Sequence, residues 1–168
     1  SYTPDSGQDI YRRSVYTFWK RGLPPPQMTV FDAPTRESCI ARRERTNTPL
    51  QALLLMNEGQ HFGAAKHYAR TILSQSSKSD AEMIEQAYES ITSHLPDAVT
   101  MDRLQKALLQ FRQLYRDDTS LARQLVGKST DETTDVDSDG HSLPPVEVAA
   151  WTMLVHSLLN LDSTKTRE

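Results

Sequence analysis

The stretch PPVEVAAWTMLVHSLLNL, residues 144–161, decides the fold of this chain. Pro144 and Pro145 can open a helix, because proline is tolerated in a first helical turn. The apolar residues that follow surround the helix instead of lining one stripe: Val146, Val148, Ala149, Ala150, Trp151, Met153, Leu154, Val155, Leu158, Leu159 and Leu161. A helix that is apolar on all sides is normally buried. We therefore predict that this C-terminal helix is the core around which the other helices pack.

Helix start signals and apolar periodicity predict several further helices upstream of it. The strongest signal is Thr48, Pro49 and Gln51, which combine a capping box with proline at the first helical position. Ser79 and Glu82 repeat the capping-box spacing. Other predicted caps are Asn57 and Thr100, and apolar faces begin at Tyr11, Phe62, Met83, Leu104 and Leu121. The expected fold is all-α, an irregular bundle of about five or six helices forming a single domain over residues 1–168.

Three segments lack a clean apolar period. Residues 1–9 are predicted to be a loose lead-in. Residues 23–47, which hold the prolines at 24–26 and Pro34, are expected to be an extended segment that packs over the helices. Residues 128–142 are rich in aspartate and offer little to bury, so we expect a flexible acidic loop.

Composition excludes several classes of function. Lys and Arg number 19 against 22 Asp and Glu, a formal net charge of −3, so no global basic field attracts nucleic acid. The apolar run at 146–161 is shorter than the ~20 residues of a membrane span and contains Glu147, so we expect no membrane insertion. Cys39 is the only cysteine, which excludes an intrachain disulfide, and we expect a small buried thiol.

An arginine cluster is the best candidate binding site. Arg36, Arg42, Arg43 and Arg45 precede the helix that begins near Thr48. Guanidinium forks suit carboxylate, sulfate or phosphate, and a helix N-terminus favours an anion. The alternative is that these arginines pair with neighbouring glutamates or with free carbonyl groups at helix ends. Both interpretations stay open at the level of sequence.

Two patterns resemble metal-binding sites, but they are weaker candidates than the arginine cluster. Asp135, Asp137 and Asp139 resemble the start of a calcium loop, but the expected bidentate glutamate is displaced by one residue, to Glu147. Glu58-x-x-His61 has the one-turn spacing of di-iron bundles, yet no second copy exists. The sequence therefore predicts no metal ligand and leaves Asp135, Asp137 and Asp139 as weak candidates for calcium-dependent ordering of residues 131–142. His156 is interpreted as a hydrogen-bonded core histidine, and His67 and His94 as surface residues.

Several strings resemble a C-terminal domain of unknown function found in large planctomycete secreted proteins. They are the residues at 12–21, FDAP at 31–34, RESC at 36–39, RRERTNTPLQAL at 42–53, AAWT at 149–152 and LLNLD at 158–162. The resemblance implies a longer domain of which this chain is the C-terminal portion, an exported location in the periplasm or cell envelope, and upstream modules that include cytochrome-c-like domains. It supplies no catalytic residue and no cofactor for this chain.

The leading functional hypothesis is a non-catalytic helical module of a larger exported multidomain protein, without a cofactor. Its expected partners are the N-terminal portion of the domain and neighbouring domains of the same protein. The alternative is a share in a composite active site, or an anion site for acidic or sulfated polysaccharide, built on the cluster at Arg42–Arg45. The sequence does not disclose an enzymatic activity, and we expect none from this chain alone.

Overall fold

The computed structural model describes residues 13–16, 19, 24–34, 37, 39–42, 46–75, 78–127 and 142–165. Within them a 3-10 turn at Ser14–Tyr16 precedes eight helices: α1 Pro26–Val30, α2 Pro49–Asn57, α3 Gly59–Leu73, α4 Asp80–Thr92, α5 Ala98–Asp117, α6 Thr119–Val126, α7 Pro145–Leu159 and α8 Asp162–Lys165. The predicted all-α fold is confirmed. The chain divides into two compact units, Ser1–Gln51 and Ala52–Glu168.

Gln51 organises the described part of the first unit. Its side chain is buried, and its Nε2 donates hydrogen bonds to the Val30 carbonyl at 2.9 Å and to Thr46 Oγ1 at 3.0 Å. Thr46 in turn donates from its backbone N and its hydroxyl to the Asp32 carboxylate, at 2.8 and 2.7 Å. This chain of hydrogen bonds ties the end of α1 to the segment that leads into α2, because buried polar groups must find partners.

The predicted capping box at the start of α2 is confirmed. The Thr48 backbone N donates to Gln51 Oε1 at 3.2 Å, and the Gln51 backbone N donates to Thr48 Oγ1 at 3.3 Å. Pro49 occupies the first helical position, as expected. The box satisfies two donors that no residue inside the helix could pair.

Two expectations for the first unit are corrected. The segment at 23–47 is not wholly extended, because Pro26 begins α1, where the fixed φ of proline suits the first helical turn. The helix expected from Tyr11 is, in its described residues, only the turn Ser14–Tyr16, with Val15 exposed and Trp19 outside a helix. Tyr11 and Phe18 lie outside the described residues.

The last long helix is the centre of the second unit, which confirms the prediction from its sequence. Helix α7 packs against α3, α5 and α6, and also meets α4 and α8. Its buried residues face several directions: Val148, Ala149, Ala150, Trp151, Thr152, Leu154, Val155, His156 and Leu158. Among the described helices, none has the length and apolar character needed to cross a membrane.

One predicted helix cap of the second unit is confirmed, and in two other helices the cap is a different residue from the one predicted. Ser79 and Glu82 form the predicted capping box of α4. Asp97, and not Thr100, caps α5, and its carboxylate accepts the Thr100 backbone N–H at 2.7 Å. Both residue types favour the N-cap position, so local sequence could not choose between them. The cap of α3 also differs from the prediction and belongs to the candidate site.

Candidate functional site

Helix α3 begins at a glutamate cap. The expected cap was Asn57, but its Nδ2 instead donates to the Leu53 carbonyl at 2.8 Å inside α2. Glu58 takes the N-cap position, and its carboxylate accepts the backbone N–H of His61 at 2.7 Å. Glu58 and His61 are therefore related as the N-cap residue of α3 and the third residue of that helix.

Loss of this cap is a measurable effect. Glu58→Ala is expected to lower the free energy of unfolding by about 0.5–1 kcal/mol, because the His61 backbone N–H loses its partner. Glu58→Ser is expected to retain most of that stability, since serine is a favoured cap. Urea unfolding of both variants, with the exposed Glu85→Ala as a matched control, checks this. An Ala variant as stable as the Ser variant would show that the cap does not contribute.

The cap places His61 against the core helix. The rings of His61 and His156 lie edge to face, with centroids 6.1 Å apart and planes at 65°. Phe62 also packs against His156, with centroids 5.3 Å apart and planes at 76°. His61 is partly exposed, whereas His156 is only 7% exposed. Helices α3 and α7 thus bring two imidazoles into contact at the edge of the core.

The polar atoms of this pair are buried without partners. Neither His61 Nε2 nor His156 Nε2 has a hydrogen-bond partner among the described residues, and the same holds for Oδ1 of Asn160, one helical turn beyond His156. Burial lowers the pKa of His156, the nearby His61 lowers it further, and a backbone hydrogen bond with Leu55 acts in the opposite direction. His156 is therefore neutral at pH 7.

Sequence reasoning placed His156 in the core correctly but missed its neighbour. His67 and His94 are exposed, as predicted. His61 carries one usable signal in the sequence, since it precedes Phe62, the first residue of the apolar face of α3. That signal indicates partial burial but cannot name a partner from a distant helix.

The predicted anion-binding arginines are only partly covered by the described residues. Arg42 is exposed, in a bend before α2. Arg36, Arg43 and Arg45 lie outside the described residues. Cys39 is exposed, which corrects the expected buried thiol. The reason is its position in a segment without regular structure, where the adjacent Ile40 is exposed as well.

The calcium-loop candidates Asp135, Asp137 and Asp139 also lie outside the described residues. Glu147, the displaced glutamate of that pattern, is engaged elsewhere: it is in the first turn of α7 and pairs with Arg112. Within the described ranges, no group of three or more His, Cys, Asp or Glu side chains is placed to share a metal ion.

Arg112 joins three helices through its charge, and sequence analysis did not anticipate it. Its Nε donates to both oxygens of Glu147 on α7, at 3.1 and 2.8 Å. Its Nη1 and Nη2 donate to the two oxygens of Asp80 at the start of α4, the second at 2.9 Å. The side chain is only 14% exposed. A bidentate fork of this kind fixes geometry as well as charge.

The Arg112 contact predicts a specific pH dependence of stability. Hydrogen bonds from Arg112 hold the pKa of Asp80 below its ordinary value despite partial burial. The unfolded chain therefore binds a proton more readily than the folded chain as the pH falls. The contribution of Asp80 is fully present above about pH 5 and is lost as the pH falls through its lowered pKa.

Urea unfolding between pH 6 and pH 3 measures this contribution as the stability difference between the wild-type chain and Asp80→Asn. The difference is expected to shrink steadily on acidification, while Asp102→Asn, at an exposed i,i+4 pair with Lys106, is expected to change stability by only a small amount. A stability difference between the wild-type chain and Asp80→Asn that stays constant with pH would contradict a stabilising contact between Asp80 and Arg112.

A shallow cleft of about 210 Å³ lies between the end of α6 and the start of α7. Among the described residues that line it, Arg123 is the only charged one, and Leu143, Pro145 and Val148 form an apolar wall. The cleft brings together none of the titratable groups of the sites above.

Comparison with known proteins gives a family and no closer relative. Residues 1–108 match the family described as PSD1, Protein of unknown function (DUF1553). The similar strings at 149–152 and 158–162 fall outside the matched residues. No curated protein and no solved structure matched the chain. Since the family match covers more than half of its residues, the chain belongs to the PSD1 (DUF1553) family, whose function is unknown.

Proposed function

We propose that this chain is a non-catalytic helical module that contacts neighbouring parts of a larger exported protein. One observation carries the proposal: α2 presents large apolar side chains to solvent. Leu50, Leu53 and Met56 are 58%, 57% and 56% exposed. At 100° per residue these positions span about a third of the helix circumference, so they share one side.

An apolar helix face of this kind favours a protein contact. Isolated exposed leucines are ordinary on protein surfaces, but neighbouring ones along one side of a helix mark interaction sites. Each side chain would gain its burial energy only in the assembled protein. We take the occupant to be the N-terminal portion of the same domain, or a domain adjacent to it, in keeping with the resemblance to large multidomain secreted proteins.

The same double substitution, made in the isolated chain and in the full-length protein, tests the proposal. Leu53→Ser with Met56→Ser is expected to change the stability of the isolated chain by less than about 1 kcal/mol, because both side chains are already exposed. In the full-length protein, the same pair is expected to destabilise this module by about 2–4 kcal/mol, since buried apolar area is lost. Pulse proteolysis in both contexts measures the difference.

The exposed Leu109 of α5 provides a matched control. Leu109→Ser is expected to have a similarly small effect in the isolated chain and in the full-length protein. Equal effects of the α2 double substitution in both contexts would contradict docking through α2.

The second candidate, an anion site for acidic or sulfated polysaccharide, is favoured by the exposure of Arg42. Titration of the full-length protein with dextran sulfate tests it. Saturable binding that is lost in Arg42→Ala and kept in Arg103→Ala, an exposed arginine of α5, supports this candidate. Equal binding by both variants rejects it, because nonspecific attraction to a polyanion does not depend on one arginine.

A further inference from the structure

The histidine pair between α3 and α7 has features that core packing does not require. Two imidazoles touch, and each keeps a buried Nε2 without a hydrogen-bond partner among the described residues. A buried polar atom without a partner costs free energy, so such atoms need an explanation. We propose that His61 and His156 together bind a borderline divalent transition-metal ion, Zn²⁺ or Cu²⁺, through their Nε2 atoms.

The separation of the rings fits a shared ion. Nitrogen ligands lie ~2.0–2.1 Å from zinc, which puts the centroids of two imidazoles on one ion roughly 5–6.5 Å apart, from tetrahedral to linear arrangements. The observed separation is 6.1 Å. Phe62 packs against the His156 ring with centroids 5.3 Å apart, which limits the movement of that ring.

The protonation of His156 suits a ligand. Since its Nε2 has no partner among the described residues, its hydrogen bond to the backbone of Leu55 assigns the proton to Nδ1. The lone pair is then on Nε2. Metal-binding histidines commonly donate their second ring N–H to a backbone carbonyl, which fixes the ring and its tautomer.

The charged groups near the histidine pair complete the description of the site. Glu58, held at the His61 backbone, supplies the nearest negative charge on α3. The Lys66 Nζ donates to the Val126 carbonyl at 3.0 Å and lies 5.9 Å from the centroid of the Phe62 ring. Two protein ligands leave open positions for water or an exchangeable ligand, and imidazole pairs favour zinc and copper over magnesium or calcium.

Calorimetric titration of the metal-free chain with ZnCl₂ tests the proposal. The expected result is one saturable site per chain whose affinity falls at least about tenfold in His61→Gln and in His156→Gln. His67→Gln, an exposed histidine of the same helix as His61, is expected to bind as the unchanged chain does.

Since His156→Gln alters a core position, nitrogen-detected NMR of the unchanged chain provides a second measurement. Zinc is expected to shift the Nε2 resonances of His61 and His156 and to leave those of His67 and His94 in place. Absence of saturable binding overturns the proposal, and so does binding that survives His61→Gln. The result is independent of whether α2 docks within the full-length protein.

Discussion

Trp151→Ala is expected to lower the free energy of unfolding by about 3–5 kcal/mol. Trp151 is fully buried in α7, the helix on which α3, α5 and α6 pack. Its removal leaves a cavity at the centre of the second unit, and the surrounding helices can collapse only partly into it. Urea or thermal unfolding followed by circular dichroism measures the loss.

Two comparisons sharpen this prediction. Leu109→Ala, at an exposed site on α5, is expected to change stability by less than about 0.5 kcal/mol. Trp151→Phe is expected to cost much less than Trp151→Ala, because it keeps most of the volume and removes an indole N–H that has no partner among the described residues. A loss below about 1 kcal/mol for Trp151→Ala would mean that α7 is not the core.

Arg112→Met is expected to destabilise the chain by about 2–4 kcal/mol. Breaking a buried ion pair by removing one partner leaves the other charges desolvated and unpaired, which costs about 3–5 kcal/mol in fully buried cases. The expected loss of stability is smaller here, because the Asp80 side chain is 45% exposed and can be solvated in the variant. Denaturant unfolding at pH 7 checks the value.

Arg116 provides the control for Arg112. It is on the same helix, its side chain is 63% exposed, and its Nη2 lies 4.0 Å from Glu147 Oε1. Arg116→Met is expected to change stability by less than about 0.5 kcal/mol. Adding Asp80→Asn and Glu147→Gln to Arg112→Met is expected to recover part of the loss, because the unpaired charges are then gone. No recovery would mean that Arg112 acts through its apolar stem alone.

Features that depend on neighbouring residues could be predicted from the sequence. The capping boxes at Thr48–Gln51 and Ser79–Glu82 involve residues three positions apart, so their spacing alone defines them. The buried helix α7 was predictable because apolar residues surround it, which leaves no side suited to solvent. Local signals failed where two cap residues competed, as with Asp97 and Thr100.

Features that join distant segments could not be predicted in the same way. Arg112 meets partners 32 and 35 residues away in the chain, on two other helices. Its one signal in the sequence is its position four residues after the buried Leu108, which puts a charged group beside the apolar face of α5. His61 and His156 likewise meet only when α3 packs on α7. Periodicity identifies such faces but not which faces meet.

Hydrogen exchange of backbone amides tests the central claim, that α7 is the fixed core of a module and that α2 is its contact surface. In the isolated chain, α7 amides are expected to exchange only through global unfolding and α2 amides through local opening. In the full-length protein, α2 protection is expected to rise by at least about tenfold, while α7 remains the most protected helix. Equal α2 protection in the two contexts, or α7 amides that exchange faster than those of α3 and α5, would contradict the account.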